Sequence, residues 1–156
     1  MAVFSGGNGA FTPSTSTDNW TLDSQSTGVY GKVISFTWGG RLTTSTAYRT
    51  RWTRPTTAAS STFTTLTPAV NMPNFQTPGS RLGTFATPAT LVADPAGNLH
   101  AQDWNANGGL GYIVLPLAAP WDYVNGILQG QISCRNVQGT DANGSSYNMS
   151  WQEGSG

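Results

Sequence analysis

The chain has 156 residues, seven basic against seven acidic side chains, one histidine and one cysteine, and only 9% of it is charged. That length suits one domain with a real core; no run of about 18 apolar residues exists for a transmembrane helix, and one cysteine makes neither an internal disulfide nor a cysteine-based zinc site. Balanced charge argues against nucleic-acid binding by bulk electrostatics, and one lysine and one glutamate beside 22 threonines, 15 serines and 19 glycines leave helices little support.

Thr, Val, Tyr, Phe and Trp instead fit a pleated surface that Gly, Pro and Asn punctuate. The N-terminus, residues 1–17, is Gly/Ser/Thr/Asn-rich with Phe4 and Phe11 as its large apolar groups. It lacks the basic start and apolar stretch of a secretory signal. It reads either as a flexible end or as an extended arm that the two phenylalanines anchor on a neighbour. Residues 18–156 read as a single β-sandwich domain.

The first strand predicted is Val29 to Trp38, with Ile34, Phe36 and Trp38 on one face and Val33, Ser35 and Thr37 on the other. Gly39-Gly40 breaks it. Ala47 to Arg54 follows, where Tyr48, Thr50 and Trp52 alternate with Arg49, Arg51 and Thr53, as in a strand with one packed and one wet face. From Thr56 to Pro88 prolines confine short pieces, around Thr62–Thr67 and Arg81–Phe85, to edges or irregular loops. Asp94-Pro95-Ala96-Gly97-Asn98 has the chemistry of a turn, and suggests a hairpin joining Ala89–Ala93 to Leu99–Trp104. Gly111–Leu117, Tyr123-Val124 and Ile127–Val137 read as further strands, with Leu128, Ile132 and Cys134 on one face of the last. Tyr147, Met149 and Trp151 then alternate with Asn148, Ser150 and Gln152. Seven to nine short strands at this spacing predict an all-β fold, an antiparallel β-sandwich of jelly-roll type.

Catalytic groups are scarce. His100 stands three residues before Asp103 with no further metal ligand in view, and reads as a hydrogen-bonded edge histidine. The carboxylates Asp18, Asp23, Asp94, Asp103, Asp122, Asp141 and Glu153 mostly adjoin Asn, Gly or Pro, as turn-capping groups do. A convergent pair among them would make a hydrolase, but nothing in the spacing selects one. No calcium loop, phosphate loop or dinucleotide fingerprint occurs, so no cofactor or metal is expected. Cys134 reads as a small core residue. Three matches to the glycosylation sequon, at Asn19, Asn143 and Asn148, are what chance yields in a chain so rich in Asn, Ser and Thr.

Charge is unevenly spread. Lys32, Arg41, Arg49, Arg51, Arg54 and Arg81 fall between Asp23 and Asp94 with no acid among them, and from Asp94 onward five acids face Arg135 alone. In one reading the halves interleave and the charges pair locally. In another, Arg49 and Arg51 project from one strand face to meet carboxylates of another subunit or partner protein. A third, phosphate contact with Trp52 stacking, suffers because Trp52 falls on the opposite face. Trp38, Trp52 and Trp151 are in phase with apolar neighbours and belong to the core. Trp20, Trp104 and Trp121 lie near Asp/Asn-rich turns, where exposure would suit sugar stacking or interface anchoring.

The run from Val33 to Arg51 (VISFTWGGRLTTSTAYRTR), the later Leu82-Gly83-Thr84-Phe85, and the closing strand Tyr147 to Glu153, an aromatic followed by an acid, resemble in layout the small virion structural proteins of tailed bacteriophages, of the head decoration or cement kind. The resemblance covers about Val29 to Glu153 and rests on no diagnostic motif, so no functional residue is carried over. It implies a sandwich or jelly-roll subunit without catalysis, often trimeric, that binds the phage major capsid protein or another virion protein, and neither nucleic acid nor membrane. Such a protein would reside in the virion after assembly in the host cytoplasm. Phe4, Phe11, Arg49, Arg51, Trp104 and Trp121 are the candidate interface residues. A carbohydrate-binding or receptor-binding β-sandwich module is the alternative.

Overall fold

The computed structural model describes residues 2–24, 29–66, 69–70, 78–108, 110–114 and 131–155. They form eleven strands and no helix: β1 (Ala2–Phe11), β2 (Trp20–Asp23), β3 (Val29–Gly40), β4 (Ala47–Thr53), β5 (Ser60–Leu66), β6 (Ala69–Val70), β7 (Arg81–Thr87), β8 (Asn98–Asn105), β9 (Leu110–Val114), β10 (Gln131–Gln138) and β11 (Ser145–Ser155). Two antiparallel sheets pack as a sandwich, as the composition predicts. One has the order β6-β1-β11-β3-β9 and the other β5-β7-β2-β10-β4-β8.

No two strands adjacent in sequence are paired in either sheet. Instead β1 pairs with β11, β2 with β10, β3 with β9 and β4 with β8. These are four nested antiparallel pairs, the two arms of one long hairpin. Its winding brings β11 beside β3 and β10 beside β4. β5, β6 and β7 are an insertion between β4 and β8 that widens both sheets on the side of β1 and β2.

The core lies where the inward rows of the two sheets meet. Trp20, Leu22, Val33, Phe36, Trp52, Ile132, Met149 and Trp151 are all buried there, with Cys134 among them. Trp20 is the hub: its ring lies 5.6 Å from Trp52, 5.8 Å from Phe36 and 5.9 Å from Tyr147, in tilted and edge-on contacts that aromatic quadrupoles favour. The alternation expected near the C-terminus is present, with Tyr147, Met149 and Trp151 inward and Asn148 exposed.

Four expectations need correction. Residues 2–11 are no arm: they form β1 inside the chain's own sheet, and Phe4, 1% exposed, packs 5.9 Å from Trp151. The Gly-rich composition hid a strand whose backbone pairs from Ala2 to Asn8 without needing side chains. In β3, Val33 rather than Ile34 enters the core. Consecutive residues Ser150 and Trp151 face Ser35 and Val33, so Ile34 is the extra residue of a β-bulge and the phase flips there.

The 94–97 turn forms, with Gly97 at φ 72°, but it joins no hairpin. β8 pairs with β4, and Thr90 bridges to Thr57. Finally, the second face of β4 is not wet. Arg51 is 7% exposed and Thr53 is fully buried, because the segment 88–98 before β8 lies over them. The predicted Tyr123-Val124 strand, and the part of Ile127–Val137 before Gln131, lie outside the described residues.

Candidate functional surfaces

The outer face of the six-stranded sheet is a layer of polar groups beneath the insertion. Alternation puts Thr21 and Asp23 of β2, Ser133 and Arg135 of β10, and Arg49, Arg51 and Thr53 of β4 on this side. Segments 54–59 and 88–98 are tied down over it. Gln131 accepts from the Ala59 amide (2.8 Å) and donates to its carbonyl (3.1 Å). Thr53 donates to the Gly97 carbonyl at 2.8 Å. Asp18 accepts from the Ala89 amide at 3.1 Å and from Arg135 Nη2 at 2.7 Å, while the same Nη2 donates to the Ala89 carbonyl at 2.8 Å.

The arginines nominated as interface residues belong to this layer. Arg49 donates to Asp94 at 2.9 Å and to Asp103 at 3.1 Å. The Arg49 contact, then that of Asn98, holds the Asp94 carboxyl below its usual range. Arg51 donates to the Val92 carbonyl at 2.7 Å and joins no carboxylate directly among the described residues; burial lowers its pKa. Carboxylates of the same chain therefore meet the charge of Arg49, as in the interleaved reading, while Arg51 is held by a carbonyl and the Asn98 amide oxygen. Arg81 binds Asp23 at 2.8 Å and lies 4.2 Å from the Phe63 ring centroid and 5.0 Å from that of Phe85. An arginine over aromatic faces is a favourable cation–π arrangement.

Two further anchors have no trace in local sequence. Tyr48 donates to Asp141 at 2.9 Å, and the loop from Gly139 to Gly144 wraps its ring so closely that a methyl at Gly139 (φ 92°) would strike it. Burial, then the Asp141 contact, pushes the Tyr48 phenol up to about 12. Glu153 accepts from the Gly79 amide (2.7 Å), the Ser80 amide (3.1 Å), the Ser80 hydroxyl and Trp151 Nε1 (3.0 Å). It holds the segment before β7 against β11. The carboxylates of Asp18 and Glu153 act across 117 and 74 residues of chain, which no spacing motif encodes.

The outward face of the five-stranded sheet differs. Ser5, Ser150 and Ser35 stand opposite one another across β1, β11 and β3, and Gly7, Asn148 and Thr37 form the next row. Val3, Gln152 and Lys32 form a third row, so register puts one charged residue on this face among those described. Ser5, Ser35, Thr37 and Ser150 are half-buried among neighbours in the sheet, and Asn148 is exposed at its centre.

The other nominated residues divide as follows. Phe11 is half-buried, edge-on to Tyr147 at 5.3 Å. Trp104 is half-buried against Tyr48, and its Nε1 donates to Thr50 at 3.1 Å, so its polar end is occupied. Trp20 is completely buried, so it cannot stack on a sugar. Trp121 lies outside the described residues. His100, half-buried and edge-on to Trp52, helps line a shallow recess with Phe36, Trp38, Thr50, Trp52 and Gln102; burial lowers its pKa. Among the described residues no three of His, Cys, Asp or Glu come together as metal ligands. Burial raises the pKa of Cys134, keeping it a thiol inside the core. The chain matches no family model, no curated protein and no solved structure.

Proposed function

We propose that this chain is a non-enzymatic structural subunit of a tailed-phage particle, a decoration or cement protein that self-associates and binds a capsid lattice. The layout resemblance suggests a trimer. The nesting of β1·β11, β2·β10, β3·β9 and β4·β8 supports the jelly-roll form of the sandwich.

The observation that carries the proposal is the contrast between the two outer sheet faces. One has Arg49, Arg81 and Arg135 paired with aspartates. The other carries Ser, Thr and Asn in register across three strands, with Lys32 opposite Gln152 in an outer row as its one charged residue among those described. Hydroxyl and amide side chains both donate and accept, so such rows pair with a protein surface without desolvating ions. A lattice that offers many copies of its site turns weak contacts into durable attachment.

Attachment to heads of the phage that encodes the chain, stripped of minor proteins, is the test. The chain should co-sediment with them, and Asn148→Lys should weaken the binding several-fold, since a buried unpaired ammonium is costly. Absence of co-sedimentation would remove the proposal.

A further inference from the structure

We infer that β5 is a strand-addition edge through which two copies of the chain pair about a two-fold axis. The inference goes beyond the self-association proposed above, since a two-fold contact is not one of a three-fold trimer and yields a dimer in its place; its test is independent of attachment to particles.

β5 is the outermost strand of the six-stranded sheet and, among the described residues, is hydrogen-bonded within it only to β7. Its sequence, Ser-Ser-Thr-Phe-Thr-Thr-Leu, contains no charge, proline or glycine. Ser60, Ser61, Thr62, Thr64 and Thr65 are exposed. Natural sheets blunt an exposed edge with lysine, proline, a bulge or a covering segment. Here a bulge at Ser61 (φ 72°), where pairing jumps from Ser60↔Thr87 to Phe63↔Phe85, interrupts one end. Phe63–Leu66 remains regular. At the opposite edge of the sheet, β8 carries Asp103 and His100. A seven-residue segment of high β-propensity and no charge is also the signature of strands that add to their own copies.

Geometry narrows the partner and the register. Continuing a sheet with an antiparallel copy of its own edge requires a two-fold axis perpendicular to the sheet. Residues opposite one another must then share a face, so the axis passes through a residue rather than between two. Centred on Thr64, the regular segment pairs Thr64 with Thr64 of the second copy and Phe63 with Thr65. Phe63, 4.7 Å from Phe85 of β7, would then stand opposite the β-branched Thr65 of the second copy, a favourable cross-strand pair. No like charges meet anywhere along the pairing.

Sedimentation equilibrium from about 10 μM to 1 mM, the range for contacts smaller than a standard interface, tests this. The mass should rise from one chain toward two. Thr64→Lys places two lysines opposite each other and should hold the protein at one chain mass across the range. Mixing it with Thr64→Glu should restore the doubled mass, a rescue that a folding defect would not give. Thr62→Lys, which sets an ammonium against Leu66 of the second copy in this register, should likewise hold the protein at one chain mass if Thr64→Lys does not fold. Asn148→Lys should still dimerise. A wild-type chain that stays monomeric, or a Thr64→Lys protein that dimerises like wild type, would overturn the inference.

Discussion

At the scale of single residues, charges remote in sequence pair in space among the described residues: Arg49 with Asp94 and Asp103, Arg81 with Asp23, and Arg135 with Asp18. Asp18 and Arg135 show what that pairing is worth, since their side chains are 2% and 13% exposed. Replacing both members of a buried pair by apolar groups is often neutral or stabilising, but losing one partner strands the other charge. Asp18→Ala is therefore expected to cost about 3 kcal/mol in urea denaturation. Asp18→Ala combined with Arg135→Met should recover part of that loss. If the single variant unfolds at the same midpoint as wild type, Arg135 is not held as described. The sequence announced six arginines against one lysine, which suited bidentate contacts, but not the contacts' addresses. Asp18 meets Arg135 only because β2 and β10 pair, and that pairing is invisible at 117 residues' separation.

At the scale of elements, strands that bury alternate side chains were readable and strands that bury backbone were not. β11 and the core face of β4 follow a period of two, and both stand where the alternation places them. β1 escaped because Gly6, Gly7 and Gly9 carry no side-chain signal. β3 misled because one bulged residue, Ile34, inverts the faces of everything before it. The loop between β10 and β11 depends on Tyr48, and supplies a prediction at this scale. Its phenol is pushed up to about 12 from 10.0. The folded chain therefore keeps a proton that the unfolded chain releases near 10, so this contribution is whole below pH 10 and is lost between about 10 and 12. Tyr48→Phe, which loses the hydrogen bond to Asp141, should be less stable than wild type by about 1 kcal/mol at pH 8. That difference should fall through zero and reverse sign between pH 10 and 12 in chemical denaturation, because only wild type carries a phenol that the unfolded chain ionises first. Burial raises Tyr147 and Cys134 too, so both proteins will still weaken in alkali. A gap that stays constant with pH would show that the phenol does not titrate with folding.

At the scale of the whole molecule, sandwich architecture followed from composition and punctuation, whereas the winding did not. Turn chemistry at Asp94–Gly97 suggested a local hairpin, yet each strand pairs with one remote in sequence. The reason is that turn residues specify how a chain reverses but not which sheet it enters afterwards. This topology has a kinetic consequence. In the nested pairs, β4 and β8 are the innermost partners and are still separated by an insertion of three strands; β1 and β11 are the ends of the described chain. Loop-closure entropy must be overcome before any of these contacts stabilises the chain, and among the described residues no two consecutive strands pair as a hairpin that could nucleate locally. Refolding from urea should therefore fall in the slow range of small domains, about milliseconds to seconds. Trp20, Trp52 and Trp151, packed in one core, supply the fluorescence signal for stopped-flow measurement. Removing the outermost pairing, by truncating β1, should speed unfolding more than it slows folding if the β4·β8 and β10·β4 contacts form earliest. A dominant microsecond phase would instead mean that local structure, absent from the strand pairing, directs the search.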